Sequence, residues 1–168
     1  MPEGLRGAEL AAFELNSAHT LAVIRRIPAP AWDRLPGGSA ATLRDQLLHL
    51  ALVRESICRA LAGVDTAGLG DTFEGPAWRS PAADLAAAFE AHILRCLALL
   101  AALDAGRLDE PFTTRFGNRS TPRNFLQAML VEEVHHRAQM TGVMRLFDLE
   151  PPPFPGRGWV ELGIPQGD

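Results

Sequence analysis

The stretch VEEVHHRAQ, residues 131–139, brings together two acids and two adjacent histidines: Glu132, Glu133, His135 and His136. The apolar residues around them recur at helical spacing, which predicts that these groups belong to a helix packed into a core. An ionisable side chain buried without a partner costs several kcal/mol. Those of the four that face the core therefore need an opposite charge, a hydrogen bond or a metal ion.

Helical periodicity separates these four residues into two pairs. One stripe with spacings of three and four runs along the predicted helix: Phe125, Met129, Glu132, His136, Met140, Val143 and Phe147. Glu132 and His136 lie one turn apart on this stripe and point to the same part of the bundle. They form either a self-neutralising pair or an oxygen and a nitrogen ligand of one metal ion. Glu133 and His135 fall on other faces, where we expect surface or interface roles.

A metal site needs at least one further ligand from another helix. His49 lies beside the apolar stripe of the second predicted helix, on a flank with Leu52, Val53 and Ser56, where an ordinary half-buried residue is also common. His92 and Cys96 lie within the stripe of the third helix. They have the residue types of a Cys/His dyad or a soft metal pair, but no third group at fixed spacing supports one, so we interpret both as core.

These groups are positioned by four predicted helices, at about residues 3–26, 42–62, 81–103 and 122–149. The start signals are Thr42 with Asp45, Ser80 before Pro81, and Thr121 before Pro122. No alternating pattern predicts a sheet. We therefore expect one all-α domain over residues 1–168, a four-helix bundle with long connections at 63–79 and 104–120 and a Pro/Gly-rich tail at 150–168.

Composition excludes several classes of function. The 168 residues are 47% hydrophobic and 21% charged, with a net charge of −4, so no basic surface for nucleic acid is expected. All 16 basic residues are arginine and tyrosine is absent, which excludes lysine Schiff bases and tyrosine acids. Cys58 and Cys96 fall inside predicted helices, which favours free thiols in a reducing compartment over a disulfide framework. No signal peptide or membrane span is evident, and a cytoplasmic protein without a membrane partner is expected.

The motifs LLHL on the second helix and HHRAQMTGVMRLFDLEPPPF on the fourth resemble the DinB/YfiT-like superfamily of small bacterial proteins, from about Thr42 to Phe154. The resemblance implies an up-down-down-up bundle, often a homodimer, with a divalent metal at one end of the core. The ligands it implies are His49, Glu132 and His136. Many members have histidine where Glu132 stands, and the His/Glu/His set is similar to the zinc-bound, thiol-dependent isomerase branch.

This resemblance implies a metal-dependent thiol transferase or isomerase that joins a low-molecular-weight thiol to a small electrophile. Two alternatives stay open: a metal-binding stress-response protein without turnover, and a metal-free bundle that binds a small ligand. Zinc fits the donor set best, although nickel, iron and manganese accept the same atoms. The sequence leaves open whether the protein is an enzyme, which substrates it takes, whether it forms a dimer, and what His135, His92 and Cys96 do.

Overall fold

The computed structural model describes residues 8–37, 41–114 and 117–153. Six α-helices account for most of them: α1 (Ala8–Ile24), α2 (Leu43–Leu61), α3 (Leu69–Glu74), α4 (Pro76–Arg79), α5 (Leu85–Ala101) and α6 (Pro122–Leu146). Two 3-10 turns, Ala29–Ala31 and Ala105–Arg107, and two short strands, β1 (Phe112–Thr113) and β2 (Arg119–Ser120), complete the elements. In these three ranges no helix is both long and apolar enough to cross a membrane.

Two of the predicted helix starts are confirmed at atomic detail. Thr42 and Asp45 form a reciprocal capping box at the start of α2, in which each side chain accepts from the other residue's backbone N–H. Thr121 caps α6 by accepting from the N–H of Asn124, and Pro122 occupies the first helical position. Both caps satisfy backbone donors that have no partner inside the helix.

The predicted start of the third long helix at Ser80 and Pro81 is wrong. Asp84 is the cap instead, and its side chain accepts from the N–H of Ala87 at a distance of 3.0 Å. The side chain of Ser80 accepts from the N–H of Ala82 and forms a local turn. This turn directly follows α3 and α4. The expected beginning of the first helix at Glu3 and most of the expected tail lie outside the described residues.

The four long helices run up, down, down and up, as expected. Thr20 of α1 contacts Glu133 of α6. Nearer the N-terminus of each helix, Phe13 of α1 and Met129 of α6 pack in one cluster, so α1 and α6 are parallel. Glu55 and Cys58 of α2 contact His92 and Cys96 of α5, so that pair is also parallel. Across the bundle Arg54 contacts Glu133 and Cys58 contacts Met129, which makes α2 and α6 antiparallel.

A small hairpin lies in the connection between α5 and α6. Its strands β1 and β2 are antiparallel, with Phe112 opposite Ser120 and Thr113 opposite Arg119. The sequence did not predict a sheet, because two residues per strand are too few for an alternating pattern. The described part of this connection therefore contains regular structure of its own.

The core consists of two apolar clusters with a polar layer between them. One cluster surrounds Trp32, Trp78 and Phe89, and the other surrounds Phe13 and Met129. Between these clusters, side chains from all four long helices form a buried polar layer: Ser17, Thr20, Arg54, Glu55, His92, Glu133 and Arg137. Buried polar groups need partners, so this layer fixes the register of the four helices relative to one another.

Candidate metal centre

Three predicted ligands meet where α2 crosses α6. His49, Glu132 and His136 each offer a ligand atom, and these atoms all lie within 4.8 Å of one another. The imidazole rings of His49 and His136 meet edge to face, with centroids 4.9 Å apart, and Nε2 of His136 lies 3.4 Å from Oε2 of Glu132. The antiparallel crossing places His49 opposite two residues one turn apart on α6. Two nitrogens and one carboxylate oxygen form a donor set typical of zinc.

His136 fits the role of a ligand best. Its side chain is 12% exposed, and its Nδ1 atom is buried without a hydrogen-bond partner. Burial, and next the neighbouring His49, lower the pKa of His136 below its ordinary value. A neutral imidazole keeps the lone pair that a metal ion requires. The unpartnered nitrogen and the crowded donors therefore agree with a site for a cation.

Glu132 lies at the edge of the helix interface rather than in the core. Its side chain is 48% exposed, whereas Met129, Met140 and Val143 of the predicted stripe are buried, so the prediction is wrong for Glu132 and not for the stripe as a whole. The most buried residues of α6 have the same spacings of three and four: Leu126, Met129, Glu133, Arg137, Met140 and Met144. Met129 and Met140 belong to both series, so the apolar pattern alone could not decide between Glu132 and Glu133. The candidate site is consequently accessible from the surface.

Glu133 is completely buried, contrary to the surface or interface role that periodicity predicted. Its Oε1 atom accepts a 2.7 Å hydrogen bond from the hydroxyl of Thr20 and lies 3.3 Å from a guanidinium nitrogen of Arg54. Arg54 is also fully buried, donates to Ser17, and stacks on the ring of Phe13 at 4.4 Å. The buried ion pair of Arg54 and Glu133 therefore connects α2 to α6 next to the candidate metal centre.

Arg137 attaches the His136 segment to α1. Its guanidinium donates to the backbone carbonyl and side-chain oxygen of Asn16, at 3.1 and 3.2 Å, and to the hydroxyl of Thr20 at 3.3 Å. These acceptors lie in the middle and last part of α1. Arg137 therefore restrains the turn of α6 that carries His136.

His135 takes no part in the three-residue cluster. It is exposed, and its Nε2 atom lies 2.9 Å from the side-chain amide of Gln139. Its ring centroid is 5.2 Å from that of His136. Adjacent residues on a helix point about 100° apart, and His135 therefore faces solvent. The two neighbouring histidines thus differ in surroundings, as the periodicity argument predicted, and His135 is a natural control for experiments on His136.

His92 and Cys96 belong to the core, as expected. His92 is fully buried, with Nδ1 at 3.3 Å from Oε2 of Glu55 and Nε2 at 3.7 Å from the sulfur of Cys96. Hydrogen bonds from Cys58 and then His92 lower the pKa of the Cys96 thiol, and the contact with Cys96 together with burial raises that of Cys58. Both cysteines are free and buried. No group in the described ranges other than His49, Glu132 and His136 brings three such ligand atoms so close together.

Sequence reasoning missed the buried acid and base of α2, Arg54 and Glu55. The carboxylate of Glu55 accepts from Arg59 at 2.7 Å and contacts Arg95 and His92. The hydrogen bond with His92 is the main reason why the pKa of Glu55 falls to about 2, with the arginines adding to it. The available signal was the charged pair within LVRESIC, in the middle of an otherwise apolar helix.

A wide cavity opens beside the three-residue cluster. Its volume is about 620 Å³, and His49 belongs to its lining. One wall is the flank of α2 that contains Leu52, Val53 and Ser56, the residues grouped with His49 by periodicity. Residues of the hairpin form another wall. A candidate metal ligand thus faces a space large enough for a small molecule.

Fold and site together define a four-helix bundle with a His/Glu/His cluster where its second and fourth long helices cross. The sequence model of the DinB superfamily matches residues 12–140. The chain belongs to the DinB superfamily. Among solved structures it is similar to the DinB-like protein YjoA from Bacillus subtilis, with 17% identity and a TM-score of 0.71, over 88% of this chain and 96% of that chain. That similarity concerns the fold. No curated protein matches the sequence.

Proposed function

We propose that this DinB protein binds a divalent metal ion, zinc in the first instance, through His49, Glu132 and His136. The observation that carries the proposal is the meeting of two imidazoles and a carboxylate within 4.8 Å, at the edge of a cavity. We further propose a thiol transferase or isomerase activity, in which a low-molecular-weight thiol reacts with a small electrophile. A zinc ion held by three protein ligands keeps a position open and lowers the pKa of the group that occupies it.

The residues of this chain supply three contributions to such a reaction. His49 and His136 offer imidazole nitrogens and Glu132 offers a carboxylate oxygen, and His49 lines the cavity. Arg137 restrains the turn of α6 that carries Glu132 and His136 through its bonds to α1. The largely apolar wall of α2 beside His49 would lie against a second reactant in the cavity.

The position of the cluster supports an accessible metal ion over a purely structural one. Glu132 is half exposed and His49 is exposed, so both lie at the periphery of the bundle. The interior has its own polar connections through Arg54, Glu133 and Arg137, which need no ion. An ion that mainly stabilised the bundle would be expected among such buried groups.

The experiment combines metal analysis with a thiol-consumption assay. Protein stripped with EDTA is reconstituted with zinc, nickel, manganese or iron(II), and bound metal is measured by elemental analysis. Thiol conjugation to 1-chloro-2,4-dinitrobenzene is then followed by absorbance with a panel of low-molecular-weight thiols. We expect one ion per chain and metal-dependent conjugation, both lost in His49→Ala and Glu132→Gln.

His135→Ala is the matched control, because it removes an adjacent histidine outside the cluster. It should keep both the ion and the activity. Stoichiometric metal without conjugation of any thiol would support a non-catalytic metal-binding protein. Absence of stoichiometric metal after every reconstitution would refute the proposal and leave the cavity as a metal-free binding site.

A further inference from the structure

We propose that Cys96 and Cys58 form a redox site, in which a small hydroperoxide oxidises the Cys96 thiol and Cys58 then closes a disulfide between α5 and α2. The site consists of four side chains in contact with one another: Glu55, His92, Cys96 and Cys58. All four are at most 1% exposed. None of them belongs to the candidate metal centre, so this activity goes beyond the proposed function and does not depend on it.

The four side chains connect a carboxylate to two sulfur atoms. Oε2 of Glu55 lies 3.3 Å from Nδ1 of His92. The sulfur of Cys96 lies 3.7 Å from Nε2 of the same ring and 3.9 Å from Nδ1, and because Glu55 engages Nδ1, Nε2 is the nitrogen available to the thiol. A thiol, a base that takes its proton and an acid that orients the base are the parts of an activated nucleophile. Cys96 therefore has the surroundings of a reactive thiol.

Cys96 and Cys58 have different surroundings, which decides the sulfur that reacts first. Hydrogen bonds from Cys58 and then from His92 lower the pKa of Cys96 to about 5, although burial opposes this shift. The contact with Cys96, together with burial, raises the pKa of Cys58, whose sulfur also lies 3.9 Å from that of Met129. The thiolate is the nucleophilic form of cysteine. Cys96 is therefore the attacking sulfur, and Cys58, in hydrogen-bond contact with it, is the sulfur that completes the disulfide.

A polar path leads from the surface to His92. The carboxylate of Glu55 contacts the guanidinium groups of Arg59 and Arg95, at 2.7 and 3.4 Å, and these two side chains are 27% and 44% exposed. Exposed side chains change rotamer within nanoseconds, so this path opens without loss of the apolar core. Hydrogen peroxide is little larger than water and fits such a path, whereas a bulky aromatic disulfide does not. The expected oxidant is therefore hydrogen peroxide or a small alkyl hydroperoxide.

The reaction has two steps. The Cys96 thiolate attacks the terminal oxygen of the hydroperoxide: an S–O bond forms, the O–O bond breaks, and the leaving hydroxide or alkoxide takes from His92 the proton that the thiol gave up. Cys96 is then a sulfenic acid. The sulfur of Cys58 attacks that of Cys96: an S–S bond of about 2.05 Å forms, the S–O bond breaks, and the leaving hydroxide takes the Cys58 proton to give water. The two sulfurs together lose the two electrons that the peroxide gains.

Thiol counting and peptide mass spectrometry test the site in the full-length protein, in both the metal-free and the zinc-loaded form. The protein is treated with a small molar excess of hydrogen peroxide, catalase stops the reaction, and 5,5′-dithiobis(2-nitrobenzoate) in urea counts the remaining thiols. We expect both thiols before treatment and neither afterwards, with both restored by dithiothreitol. Trypsin cleaves after arginine, so the disulfide should join peptide 55–59 to peptide 96–107.

Single variants separate the roles of the side chains. Cys58→Ala should react and stop at a sulfenic acid on Cys96, which dimedone labels when the chain is unfolded in its presence. In Cys96→Ala the remaining thiol should stay reduced at the same peroxide dose, because burial keeps Cys58 in its thiol form. His92→Gln should slow disulfide formation at least ~10-fold through loss of the base, whereas His135→Ala should react at the wild-type rate. If His92→Gln is misfolded by circular dichroism, the two cysteine variants decide.

Two results would overturn the proposal. One is the persistence of both thiols in the wild-type protein after peroxide treatment, with or without zinc. The other is oxidation of Cys58 in Cys96→Ala as fast as that of Cys96 in Cys58→Ala, which would show that neither thiol is activated. Zinc is measured in the same samples, so a chain that forms the disulfide but binds no metal would refute the proposed function alone.

Discussion

Glu132 and Glu133 are adjacent, and the structure predicts opposite consequences when each is replaced by glutamine. Glu133 and Arg54 both have side chains that are 0% exposed, and their closest contact is 3.3 Å. Glu133→Gln leaves the Arg54 guanidinium buried without a counter-charge. Removal of one member of a buried ion pair costs about 3–5 kcal/mol, and the retained hydrogen bond from Thr20 argues for the lower end. We therefore expect a loss of about 3 kcal/mol in the free energy of unfolding.

Glu132→Gln is the matched control, with the same chemistry one residue away. Its side chain is 48% exposed, so the free energy of unfolding of the metal-free protein should change by less than about 0.5 kcal/mol. Urea unfolding in EDTA, followed by far-UV circular dichroism, measures both variants. Their melting temperatures should differ by roughly 6–12 °C in a chain of this length.

The two variants should rank in the opposite order when zinc binding is measured instead of stability. Glu133→Gln is expected to keep the zinc stoichiometry of the wild type when folded, whereas Glu132→Gln should lose it. The intermediate variant Thr20→Val removes one hydrogen bond to the buried carboxylate and should cost about 1–3 kcal/mol. Equal destabilisation by Glu132→Gln and Glu133→Gln, or a loss below about 1 kcal/mol in Glu133→Gln, would refute the assignment of Glu133 to the core.

Three further predictions concern the rest of the bundle. Glu55 has its pKa lowered to about 2, mainly by its hydrogen bond with His92, so its carboxylate stabilises the fold by about 3 kcal/mol above pH 4.5. That contribution is lost as the pH falls towards 2, so the stability difference between wild type and Glu55→Gln should shrink over this range in urea titrations; parallel curves would contradict it. Cys58 and Cys96 are 0% exposed, so a thiol reagent such as 5,5′-dithiobis(2-nitrobenzoate) should label neither in the folded protein and both in urea, despite the lowered pKa of Cys96. Rapid labelling of the native state would show that this region opens. Asp84→Ala should cost about 1 kcal/mol in chemical unfolding through loss of the α5 cap, whereas Ser80→Ala should change stability by less than about 0.5 kcal/mol; equal losses would restore the predicted start at Ser80.

Local signals predicted the elements well where the chemistry was local. Thr42 with Asp45, and Thr121 before Pro122, identify helix starts because a cap and its backbone partners lie within a few residues. The same logic failed at Ser80, since a serine before proline also suits the turn that it forms. The placement of α3 and α4 in the long connection depends on packing that no local pattern reveals.

The meeting of three side chains was predicted more accurately than the burial of the helix face that carries two of them. His49, Glu132 and His136 converge, although Glu132 is the exposed member of the stripe that was used to orient it. Burial of Glu133 was not predictable from spacing, because its partners Arg54 and Thr20 lie 79 and 113 residues away in the chain. The choice between two stripes that share methionines depends on these distant partners.

One wall of the cavity was predictable from the sequence and the other was not. Periodicity grouped His49 with Leu52, Val53 and Ser56 on one flank of α2, and these residues do line the cavity. The opposite wall comes from a hairpin whose strands are too short to be predicted. A sequence can therefore indicate which face of a helix is available, while the element that covers it is fixed by tertiary structure.

The most direct test of the central claim is anomalous diffraction at the zinc absorption edge from crystals of zinc-loaded protein. We expect one peak per chain at coordinating distance, about 2.0–2.2 Å, from His49, Glu132 and His136, and no such peak in crystals of His49→Ala. Crystals of His135→Ala should keep the peak. A zinc peak elsewhere with none at these three residues, or an undiminished peak in His49→Ala, would show that these residues are not the zinc ligands.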